Sequence, residues 1–167
     1  MASFEFLAVI LSLLGLSASV LYYSLTIQNQ NRTRQAQLLS GLYETYRNPD
    51  FRHIQNKILD LDYSSYEDFN EKYRTGDQRT WSEWQSVASF FNGLGVLLKN
   101  GMIDIVLVEE LFSNITFVTW VQMEPIISEW RKGDERFSGY VRSQKYEFYS
   151  GFEYLYNELV KRDKQNS

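Results

Sequence analysis

"FFNGLGVLLKNG", residues 90–101, holds three of the chain's nine glycines and a lysine, the raw material of a phosphate-cradling loop. Such a loop needs backbone N–H groups turned inward between a strand and a helix N-terminus. No strand pattern precedes Gly93. Instead Trp84, Val87, Phe91, Leu94 and Leu98 keep a helical period straight through the glycines. On a wheel of about 100° per residue, Gly95 lies beside Ala88 on the flank of the apolar face. Gly93 falls on the opposite side, grouped with Ser82, Ser86 and Ser89. Two glycines facing opposite ways cannot cradle one phosphate, and neither GxGxxG nor the Walker pattern is present. The stretch therefore reads as a helix interior. Gly95 and the Ser82–Ser86–Ser89–Gly93 face mark close approach by another helix or a second molecule. Gly101, after Lys99-Asn100, suits the left-handed position that ends a helix.

The same logic extends along the chain. Its 167 residues suit one ordinary domain, and 44% hydrophobic with 16% aromatic content supplies a core. The absence of cysteine removes disulfides, thiolate metal sites and cysteine nucleophiles, and a single histidine removes any multi-imidazole site. Net charge is −4, which argues against nucleic acid as a partner.

Charge is unevenly distributed. Phe6 to Ile27 contains none, and all 17 Lys and Arg residues lie at or after Arg32. That run of 22 residues exceeds the roughly 20 needed to cross a bilayer. A cleaved signal peptide is the competing reading, with "SAS" at 17–19 as a cleavage site. Its n-region should be basic, whereas this one opens Met-Ala-Ser-Phe-Glu-Phe, and the apolar run is too long. A retained transmembrane anchor over 1–30 is the expectation, with membrane lipid around it. Arg32 and Arg34 flank its far end, so the positive-inside rule puts the N-terminus outside and residues 28–167 in the cytoplasm, at the cell membrane. Ala8, Ser12, Gly15 and Ser19 share one side of this helix. Small residues there permit close packing with a second copy or a partner span.

Beyond the anchor every segment reads as helix. The polar stretch 28–37 lacks Pro and Gly, so the helix continues into the stripe Leu38, Leu39, Leu42, Tyr43, Tyr46. Asn48 and Pro49 cap and open a second helix bearing Phe51, Ile54, Ile58 and Leu59. Ser64-x-x-Glu67 and Ser65-x-x-Asp68 start a short third, ending at Gly76. A fourth begins near Thr80 or Ser82 and runs to Asn100. "MIDIVLVEELFSN", capped by Asp104, and "ITFVTWVQMEPIISEWRKG", kinked or restarted at Pro125, follow as two more. The last spans about Asp134 to Lys161, with Val141, Phe148, Phe152, Leu155 and Leu159 on one side and Tyr146, Tyr149, Tyr156 and Val160 on another. The fold class is all-α: one transmembrane helix, then a cytoplasmic bundle of about six helices over 31–161, then a disordered tail at 162–167.

Three constellations carry chemistry on paper. "DLDYSSYEDFNE", residues 60–71, sets Asp60, Asp62, Asp68 and Glu71 at spacings of a calcium loop. Position 6, however, is Ser65 rather than glycine, and position 8 is the charged Glu67. A capped helix start explains the same residues. His53 lies one turn from Asp50, a spacing that more often makes a surface contact than a catalytic or metal pair. Adjacent carboxylates such as Glu109–Glu110 diverge on a helix. No catalytic residue, metal or cofactor is expected.

"FFNGLGVLLKNGMID", the earlier "LYETYRNPDFR" and Trp120 with Pro125 resemble an uncharacterised family of short prokaryotic single-span membrane proteins. The resemblance covers about residues 30–160. It implies an all-α cytoplasmic domain on one anchor, and supplies no activity. The expectation is a membrane-anchored helical protein-interaction module, a scaffold or accessory subunit without catalytic chemistry. The alternative is a divalent-ion-responsive regulator using the 60–71 loop.

Overall fold

The computed structural model describes residues 2–133 and 148–166. Two compact units emerge, Met1–Leu39 and Ser40–Ser167. Among the described residues every regular element is helical.

The described residues of the first unit all belong to helix α1, Ala2–Arg47. Leu11, Leu13, Leu14, Leu16, Val20, Leu21 and Leu25 point outward in all directions and none is covered. A helix apolar all round has no face to give water, so this stretch is a candidate membrane span by length and composition. Some of its hydroxyls turn back onto the helix. Ser19 Oγ donates to the Gly15 carbonyl at 2.8 Å and Thr26 Oγ1 to that of Tyr22 at 2.8 Å. These two hydroxyls are thus satisfied by their own helix.

In the second unit the end of α1 is followed by α2 (Pro49–Leu59), α3 (Tyr66–Phe69), a π-helical turn (Asn70–Thr75), α4 (Gln78–Lys99), α5 (Ile105–Gly133) and α6 (Ser150–Asn166). Helix α4 is the spine. Trp84, Val87, Ala88, Phe91, Leu94 and Leu98, the stripe read from its period, are all buried. It begins two residues earlier than Thr80. Asp77 is the cap, accepting from the N–H groups of Arg79 and Thr80 at 3.1 Å each. Gly101 ends it with φ of +66°, a conformation glycine adopts without the Cβ penalty. Asn48 accepts from Asp50 N–H at 2.8 Å, with Pro49 in the first turn of α2.

Three expectations are corrected. The two helices expected between 102 and 133, divided after Asn114, are one, and α5 also continues through Pro125, where a kink or a restart was expected. Proline removes the N–H that would bond the Val121 carbonyl, a loss of about 3 kcal/mol in an isolated helix interior. Here Phe112 and Trp120 before it, and Ile126 and Ile127 after it, are all buried, so packing on both sides offsets the loss and the helix continues. The described bundle therefore has five α-helices after α1 rather than six. Helix α6 runs on to Asn166, through residues 162–166 assigned by composition to a disordered tail. Phe148 is not in the last helix's core stripe, since it precedes α6 and is exposed. Phe152, Leu155 and Leu159 are buried as expected, whereas Val141 and Tyr146 lie outside the described residues.

Helix α5 also passes the length and hydropathy test for a membrane span. Its longest uncharged run, residues 111–123, is 13 residues, well short of the roughly 20 a bilayer requires. Buried Val108, Phe112, Met123, Ile126 and Ile127 mark it as a core helix.

Candidate functional site

The two α4 glycines have different surroundings. A Cβ on Gly95 would stand 1.8 Å from the carbonyl oxygen of Gly151, so α4 and α6 cross backbone to backbone there. Asn92 Oδ1 accepts the Gly151 N–H at 3.0 Å and clamps the crossing. Gly95 is thus a helix-packing residue. Gly93 meets nothing within 4 Å. Its neighbours Ser82, Ser86 and Ser89 are exposed. Ser82 Oγ donates to the Gln78 carbonyl and Ser86 Oγ to that of Ser82, both at 2.9 Å. Ser89 hydrogen-bonds the Tyr149 hydroxyl. The face is open, its hydroxyls mostly engaged at home.

The acidic loop carries its own cation. Asp68 Oδ2 accepts from Ser64 N–H at 2.9 Å and from Lys72 Nζ at 2.9 Å. The same ammonium donates to the Asp62 carbonyl at 3.2 Å. The Ser64 backbone bond, then Lys72, hold the Asp68 carboxyl below its usual range. Ser65 Oγ accepts from Asp68 N–H at 3.2 Å, the helix-capping alternative to a calcium loop. Asp60 ends α2, its N–H bonded to the Asn56 carbonyl, and Glu71 points to solvent in the π turn. The four carboxylates are not gathered. Among the described residues no three Asp, Glu or His side chains are placed to hold one metal ion.

His53 lines a cleft of about 400 Å³ with Asp50, Ile54 and Lys57 of α2 and Arg79 and Glu83 of α4. Glu83 accepts from Lys57 Nζ at 2.6 Å and Arg79 Nε at 2.9 Å. The Lys57 bond is the main reason its carboxyl lies below the ordinary range. One acid thus holds two cations, and its bond to Lys57 ties α2 to α4. Nothing in the cleft pairs a nucleophile with a base.

Two features escaped sequence reading. Trp81 and Trp84 stack at 5.6 Å, and Trp130 meets them edge-on at 5.1 and 5.4 Å. The Arg74 guanidinium sits 5.6 Å from both the Trp81 and Trp130 rings. This box closes the end of the bundle where the π turn, α4 and α5 meet. The second feature is the outer face of α5, where Val106, Leu107, Val118 and Val121 stay exposed. Dividing this segment into two helices hid the continuity of that face. A single spacing count from 107 to 125 would have found it.

On α1, Ser12, Gly15 and Ser19 are exposed, and Gly15 has open space where a Cβ would stand. The side chain of Ala8 lies outside the described residues. Arg32 and Arg34 are exposed.

The family model described as Domain of unknown function (DUF4760) matches residues 2–159, so the match takes in the N-terminal helix as well as the bundle. No curated protein and no solved structure matches the chain.

Proposed function

We propose that this chain, which belongs to the DUF4760 family, is a membrane-anchored helical protein-interaction module without catalytic chemistry of its own. The observation that carries this reading is α1: a single helix whose uncovered aliphatic surface gives way, without a break, to residues that pack in the bundle. Burying such a surface in lipid is favourable by about 25 cal/mol for each Å² removed from water. Arg32 and Arg34 at the far end of the span support, by the positive-inside rule, an outer N-terminus and a cytoplasmic bundle. The stripe of Ala8, Ser12, Gly15 and Ser19 offers a second copy or a partner span a close approach. Lys72, seated in the acidic loop, favours this reading over an ion-responsive regulator.

Extraction of native membranes with a mild detergent and isolation of the full chain tests the reading. A stoichiometric protein partner is expected. A chain that emerges alone at every detergent strength contradicts it.

A further inference from the structure

Helix α5 is apolar on two sides. One side is buried core. The other carries Leu107, Leu111, Asn114, Val118, Val121 and Pro125, at alternating steps of four and three residues. This is the spacing of a seam that another helix follows. Val118 is 50% exposed and Val121 66%, values that set them apart from the core helix they belong to. Beside the seam lies a cleft of about 360 Å³ between Tyr46 and the Leu111–Val118 turns, room for a side chain from a facing helix.

The rim is acidic. Glu110 and Glu124 border the seam on one side, Asp104 and Glu129 on the other. Among the described residues of α5, Lys132 is the one cation on this side of the helix, and it pairs with Glu129 at 2.5 Å. A second copy laid on this face would bring the same carboxylates against one another. An anionic lipid surface meets the same repulsion. A helix with lysine or arginine flanking its apolar stripe meets neither. We propose that the outward face of α5 is a docking surface for an amphipathic, basic-flanked helix of a second protein. Asn114, the one polar position in the seam, sets the register by facing a polar residue of the partner. This inference rests on the interaction reading and names its surface.

The test uses the full chain in its native membrane with a photo-crosslinking phenylalanine analogue in place of Val118 or, separately, Val121. A matched control carries the analogue in place of Ser86 on α4. The expected result is a covalent adduct with a different protein from 118 and 121 and none from 86. Its cross-linked peptide should lie in a helix bearing Lys or Arg beside an apolar stripe. Glu110→Lys, which leaves the melting temperature unchanged, should cut the yield at 118 about tenfold. An adduct with a second copy or with lipid overturns the proposal. So does an adduct from position 86 alone, or none at all while a partner still co-purifies; the interaction reading survives both of those. No adduct and no co-purifying partner overturn both.

Discussion

Gly95 and Gly151 meet backbone to backbone, with room for no side chain between them: a Cβ on Gly95 would lie 1.8 Å from the Gly151 carbonyl oxygen. Two residues away, Gly93 faces open space. Alanine substitutions at these positions should therefore have opposite signs. Gly95→Ala forces α4 and α6 apart and should destabilise by about 1–3 kcal/mol, the scale of an overpacked core. Gly93→Ala should stabilise by about 0.5–1 kcal/mol through helix propensity. Thermal melts of the full chain in detergent decide it. Equal effects would remove the crossing as the reason for Gly95.

The acid side of the stability profile follows from three carboxylates. Asp68, Asp77 and Glu83 all lie below their ordinary range in the folded chain, Asp77 chiefly through the Thr80 hydroxyl and backbone bonds. A depressed folded value means the folded state favours the charged form, so the contribution is present in full above the unfolded values, about 3.9–4.3. It is lost as pH falls through the lower folded values. Melting temperature should be flat from neutrality to about pH 5 and fall below about pH 4. Asp77→Asn should flatten that fall. An unchanged slope would show that the cap's charge is not involved.

Calcium should leave the melting temperature unchanged at millimolar concentration, because Lys72 already supplies the loop's cation. Lys72→Met should lower the melting temperature by releasing Asp68 and the Asp62 carbonyl. A calcium-dependent rise in the unsubstituted chain would restore the ion-responsive reading.

Trp84 touches Phe69, Trp81, Trp130 and Tyr149 and is fully buried. Trp84→Ala should cost about 3–5 kcal/mol, enough to unfold a marginally stable bundle. Loss of near-ultraviolet circular dichroism measures it. A variant that melts as the parent does would show that the aromatic box is not structural.

The period of α4 was legible because five buried side chains recur on one face and the glycines do not interrupt them. The caps at Asn48 and Gly101 were legible for a local reason, since proline and a left-handed glycine leave signatures within a few residues. Pro125, read as a kink or a restart, was ambiguous for the opposite reason. Its local cost is real, and only burial of Trp120 and Ile126 across it outweighs that cost. The same holds for Gln55, whose amide donates to Thr119 Oγ1 at 3.2 Å inside the core. A polar residue amid Ile54 and Ile58 gives no sign of which distant hydroxyl it will meet. Lys72 entering the acidic loop is likewise a tertiary fact, although its spacing of four from Asp68 is a known ion-pair distance on a helix. As for the site, the wheel sets Gly95 on the flank of the apolar face, the side on which Gly151 approaches it, while the α5 seam stayed hidden behind an assumed break.

The account depends most on α1 lying in a membrane and holding the bundle there. Carbonate washing of native membranes, followed by sizing of the retained chain, tests this directly, with Leu14→Asp/Leu16→Asp as the comparison. The unsubstituted chain should remain in the pellet at full length. The double variant should move to the supernatant with the melting temperature of its bundle preserved. A full-length chain released by carbonate, or a pelleted chain shortened at residues 17–19, would contradict it.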